Sequence, residues 1–126
     1  MMNVHEVENF TRLFPLMESA YEEIGAVSRN NPAQVLNSFK MRFVNELLIR
    51  ANTILEDEYR PFPEFIKFTE DMTPNMSDIL FILAEYLSAL ETMKTEHIQK
   101  EKEYPHEWFW IINGKISEKT TAPMTN

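Results

Sequence analysis

The chain has no cysteine and only two glycines, Gly25 and Gly114, in 126 residues. The first absence removes disulfides, thiolate metal sites and cysteine nucleophiles together. The second rules out a glycine-rich phosphate loop and a dinucleotide-binding fingerprint, which need several glycines close in sequence. Histidine is scarce. His5, His97 and His106 lack the helical spacing that a zinc site without cysteine would need. Basic residues are the minority, with 12 Lys+Arg against 20 Asp+Glu and a formal net charge of −8. Nucleic-acid affinity comes mainly from Lys and Arg on phosphates, so this balance argues against a nucleic-acid partner. The longest apolar run is Ile79 to Ala84, whereas a spanning helix needs about 20 residues. The stretch MMNVHEVENF has no basic start followed by an apolar run, and TAPMTN is no lipidation or retention signal. The expectation is a cytoplasmic protein with no membrane association.

Hydrophobic residues make up 44% of the chain and charged residues 25%, which is enough apolar material for one packed domain. Low glycine and abundant Leu, Glu, Lys and Met favour helix over strand. Asn3 with Glu6 has capping-box spacing, and Val4, Val7, Phe10, Leu13, Phe14, Met17, Ala20, Tyr21, Ile24 and Val27 follow at helical intervals. Pro15 inside that pattern predicts a kink or a division into two short helices. Asn31 as N-cap and Pro32 at the first helical position predict a second helix to about Asp57, with an apolar stripe from Val35 through Phe39, Phe43 and Leu47 to Leu55. The turn at Arg60-Pro61-Phe62-Pro63 leads to an expected short helix holding Phe65, Ile66 and Phe68. A further helix is expected from Thr73 or Ser77 to about Glu103.

The end of the chain has two readings. In one, WFWII and KIS are strands joined at Asn113-Gly114 in a type I′ hairpin; in the other, Pro105 opens a short helix that Gly114 ends. The fold expectation is therefore all-α: a bundle of four or five helices over residues 1–117. Residues 105–117 would dock on it as a short hairpin or an extra helical turn, and 118–126 would form a flexible tail.

Chemistry is hard to find in this sequence. No serine lies in a glycine-flanked elbow. Glu103 and His106 have the spacing used by carboxylate-bridged metal bundles, but Pro105 between them breaks the helix that would align them. The carboxylates that could hold Mg²⁺ are Glu18, Glu22, Glu23, Glu56, Asp57, Glu58 and Asp78. Glu85 falls on a polar stripe with Asp78, Ser88, Thr92 and Glu96 and should face water.

Two aromatic clusters stand out. Tyr59, Arg60 and Phe62 precede Phe65 and Phe68, and Trp108, Phe109 and Trp110 are consecutive. Trp, Tyr and Arg dominate interface hot spots, so both clusters read either as a partner surface or as packing at the ends of the bundle. Charge is uneven too. Residues 29–55 hold four bases and one acid, which either interleave with acidic neighbours or bind an acidic partner.

The resulting expectation is a small acidic protein-binding module, of inhibitor or immunity type or a subunit of a larger assembly. It would not be an enzyme and would need no cofactor or metal. Its binding residues would be Tyr59, Arg60, Phe62, Trp108, Phe109 and Trp110. The partner would be a protein, a basic one if the overall charge selects it, or a second copy of the chain held through WFWII. The alternative is a carboxylate-based, Mg²⁺-dependent helical nucleotide hydrolase using Glu18, Glu22 and Asp78.

Overall fold

The computed structural model describes residues 2–124. It corrects the all-α expectation. In place of a four- or five-helix bundle, three helices pack with a three-stranded antiparallel sheet.

Helix α1 (Val4–Asn30) opens on the reciprocal cap that its sequence announces: the Glu6 amide donates to Asn3 Oδ1 at 2.9 Å and the Asn3 amide to Glu6 Oε1 at 3.1 Å. Val7, Phe10, Leu13, Met17 and Ile24 form its buried face. Pro15 does not divide it. The missing amide deprives only the Thr11 carbonyl of its partner, and both residues lie on the exposed side, where water can replace the lost bond.

Helix α2 (Ser38–Ile54) starts later than expected, capped by Asn37 rather than Asn31. Residues 32–37 do not coil because the carbonyls of Pro32 and Gln34 are already taken. The Ser77 amide donates to the Pro32 carbonyl at 3.1 Å and the Met76 amide to the Gln34 carbonyl at 2.8 Å. Val44, Leu48, Ala51 and Ile54 turn inward. Phe39 and Phe43, expected on the same stripe, are exposed.

The expected helix around Phe65 is absent. Residues 55–75 carry only two short 3₁₀ turns, Asp57–Tyr59 and Glu70–Met72. Side chains of α2 hold this segment instead. Asn45 accepts from the Phe68 amide and donates to the Phe68 carbonyl, both at 2.9 Å, and Asn52 Nδ2 donates to the Ile66 carbonyl at 3.0 Å. Backbone groups satisfied in this way have no need of a helix.

Helix α3 (Met76–Thr95) is capped by Asn75 and Asp78. Ile79, Leu83, Tyr86, Leu90 and Met93 run through the centre of the core. A side chain at Gly25 would meet Leu80, while Phe14 and Glu18 face Leu87 and Glu91, so α1 and α3 lie antiparallel.

The helix stops near Glu96 rather than Glu103, because the chain becomes strand β1 (Ile98–Glu101). Strand β2 (Tyr104–Ile112) takes the centre of the sheet and β3 (Lys115–Thr120) the other edge. The hairpin alternative is the one adopted, with Asn113 at φ 52° and Gly114 at φ 81°. Two successive positive φ angles are what a type I′ turn requires. The domain boundary expected at 117 falls inside β3, whose Lys119 and Thr120 pair with Phe109 and Trp108. Ile98, Trp110 and Ile112 form the buried face of the sheet. Trp110 meets Phe10 edge-on at 5.3 Å, and the Asn113 amide donates to the Met2 carbonyl at 3.0 Å, so the sheet is docked on the start of α1. No helix among the described residues is long and apolar enough to cross a membrane.

Candidate protein-docking face

The six residues singled out from the sequence go to different places. Trp110 is in the core against Phe10. Trp108 is half-buried, and Lys100 Nζ lies 5.3 Å from its ring centre. Phe109 points to the opposite face of the sheet, beside Tyr104. Tyr59 is half-buried against the His97 ring. Hydrogen bonding to the Glu96 carboxylate, reinforced by burial and by the charges of Glu96, Glu58 and Glu56, holds its hydroxyl well above the usual phenol range. Arg60 donates to the Asn52 carbonyl at 2.9 Å and lies 3.7 Å from Asp57. Phe62 packs on Phe65 and Phe81. Most of this aromatic area therefore closes the core and pins the 55–75 segment. Phe62 is the member that also lines an open hollow of about 360 Å³, with Met72 and Phe81.

The carboxylate set does not converge. Asp78 caps the start of α3. Glu18 faces Leu87 and Glu91, nine and thirteen residues further along that helix, which is roughly 13 to 20 Å at the rise of an α-helix. One cation cannot bridge that span with both carboxylates. Among the described residues no group of three or more His, Asp or Glu side chains is placed to hold a metal ion.

Near Glu18 lies an unexpected buried cation. Lys94 is 5% exposed, and its Nζ donates to Thr121 Oγ1. Burial lowers its pKa, and the charges of Glu91 and Glu18 act in the other direction. Glu91 in turn accepts the Met124 amide at 2.8 Å. Residues 121–124 are thus tied to α3 at two points, in a stretch the sequence gives to the tail. Because the folded-state pKa lies below that of the unfolded chain, the unfolded chain holds more protons between the two values, and stability should rise with pH through that window. Lys94→Met, which removes the desolvated charge, is expected to raise stability at neutral pH. Its advantage over the parent should narrow towards about pH 10, which denaturant melts across that range will show.

A different surface gathers what a docking site needs. Phe39 is 61% exposed and Phe43 52%, one helical turn apart on α2, with ring centres 5.1 Å apart in an edge-to-face arrangement. The Arg42 guanidinium lies over the Phe39 ring at 5.8 Å. Such contacts pre-order the aromatic crest before any partner arrives. A groove lies on each side of it. One, of about 280 Å³, runs between α1 and α2 over Ile24, Leu36, Val44 and Leu47, with Glu23 and Lys40 on its rim. The other, of about 580 Å³, separates α2 from residues 67–74 and is lined by Val35, Met41, Arg42 and Lys67. The ion pairs among the described residues are Arg60 with Asp57 and Lys119 with Glu107. Lys40, Arg42 and Arg50 take part in neither, so no ion pair with a described residue holds the bases of α2. That charge is visible in the sequence, whose spacing places both phenylalanines on the apolar stripe of the helix, but helical spacing alone does not say which neighbours arrive to cover a side chain.

Compared with family models, with curated proteins and with solved structures, the chain matches none.

Proposed function

We propose that the chain is a non-catalytic protein-binding module, an inhibitor or assembly subunit, that docks through the first half of α2. The observation that supports this most is the exposed Phe39–Phe43 pair with Arg42 laid across it. Aromatic and arginine side chains supply most of the energy at protein interfaces, and two adjacent exposed phenylalanines are unusual on a chain with nothing to bind. The overall negative charge would steer the molecule towards positive surfaces from a distance. At contact, within a Debye length of about 8 Å, the local bases decide. The Tyr59 and Trp108 clusters then act mainly as scaffold.

The test is binding to beads carrying the full chain, from a lysate of the cells that make it. Phe39→Ala with Phe43→Ala should retain the parent's melting temperature, since both rings are largely solvated, and lose a stoichiometric partner by at least about 100-fold, the product of two hot-spot side chains. A partner retained by the double variant would overturn this face. Magnesium-dependent turnover of a nucleoside triphosphate by the pure chain would overturn the non-catalytic reading.

A further inference from the structure

We infer that the partner segment recognised by α2 is acidic and carries bulky apolar anchors, with the anchors seated beside Phe43 and the carboxylates on Lys40, Arg42 and Lys67. This rests on the docking reading above and adds the chemistry of the occupant. Both grooves have apolar floors, Ile24, Leu36, Val44 and Leu47 in one and Val35, Met41 and Phe68 in the other. A wholly hydrophilic segment would leave those floors wet and gain little. The volume between α1 and α2, about 280 Å³, admits one or two aliphatic or aromatic side chains.

Charge selects among apolar segments. Lys40, Arg42 and Arg50 on α2 make no ion pair with the described residues, and Lys67 joins Arg42 along the second groove. The acids facing the same surface are Glu23 on the rim of the first groove and Glu70 on the second, with Glu46 further along α2. The balance is positive on the α2 side and negative at α1. That fixes an orientation: partner carboxylates lie over α2 and the 67–74 segment, while the anchor enters next to α1. A basic segment would place like charges on Arg42 and Lys40, and such juxtapositions are strongly disfavoured at interfaces. A second copy of this chain is the competing occupant, because acidic α1 beside basic α2 is self-complementary about a two-fold axis; a dimeric mass for the pure chain that Arg42→Glu abolishes would overturn the inference.

The experiment is a selection of random peptides displayed on phage against the full chain, followed by fluorescence anisotropy of the enriched peptides. The expected result is enrichment of acidic sequences with apolar residues three or four apart. Their affinity should fall at least 10-fold with Arg42→Glu and with Phe39→Ala, and should weaken as salt is raised. Enriched basic or neutral peptides, or acidic ones indifferent to both substitutions, would overturn the inference. If those peptides are lost instead with Tyr59→Ala or Trp108→Ala, a protein-binding function survives at another face. No enrichment of any peptide would overturn the inference and the docking reading together. Arg42-dependent sedimentation with phosphatidylserine vesicles, and no peptide binding, would replace both with a lipid surface.

Discussion

Replacing Trp110 with alanine is expected to cost about 3–5 kcal/mol, the usual range for deleting a large buried aromatic. Trp110 is 3% exposed in the central strand, pairs with Ile98 across β1, and meets Phe10 edge-on. Its ring is the main apolar link between the sheet and α1. A three-stranded sheet of this size has no second layer of its own and depends on that link. Loss on this scale would take a large share of the 5–15 kcal/mol typical of a whole domain. Urea melts followed by circular dichroism and by Trp108 fluorescence should shift together, because the sheet and helices share one core. A variant whose sheet melts early while the helices keep the parent's midpoint would show that the sheet is an appendage.

The second large effect is expected at Asn52. This side chain is 6% exposed, donates to the Leu48 and Ile66 carbonyls at 3.0 Å, and accepts from the Tyr86 hydroxyl at 2.9 Å. Alanine there strands the Ile66 carbonyl and leaves the Tyr86 hydroxyl its longer contact of 3.3 Å to the Phe65 carbonyl. Leaving a buried polar group unpaired costs about 1–3 kcal/mol, so Asn52→Ala should lose roughly 2–4 kcal/mol. It should also loosen residues 60–68, whose amide exchange will rise first. Tyr86→Phe removes the hydroxyl that Asn52 serves. In the Asn52→Ala, Tyr86→Phe pair the combined loss should fall short of the sum by about 1 kcal/mol, the coupling expected of two groups in direct contact. Strict additivity in that cycle would mean that the hydrogen bond contributes nothing.

Part of this structure was legible from local sequence. Asn3 with Glu6 marked the start of α1, and Asn113-Gly114 marked a type I′ turn, because each is a contact or conformation within a few residues. The parts that were not legible depend on residues far away in the chain. Asn31-Pro32 carries the signature of a helix start, yet Pro32 and Gln34 give their carbonyls to amides at 77 and 76. Ile98-Gln-Lys-Glu continues α3 well enough as a pattern, and becomes a strand only because β2 supplies its ladder. The 60–68 segment is fixed by Asn45 and Asn52, two polar residues whose role cannot be read from hydrophobic spacing. The same limit applies to the candidate site. The basic bias of residues 29–55 was visible in the sequence. That Phe39 and Phe43 stand out beside it depends on where α1 and the 67–74 segment stop.

Whether the first half of α2 is the docking face is read from the amide chemical shifts of the full chain as a binding peptide or captured partner is added. The expected shifts concentrate at residues 35–47 and 67–70, with the facing turn of α1 near Glu23, and none fall at β2. Shifts centred on Trp108, Phe109 and Tyr59, with α2 unmoved, would contradict the docking reading.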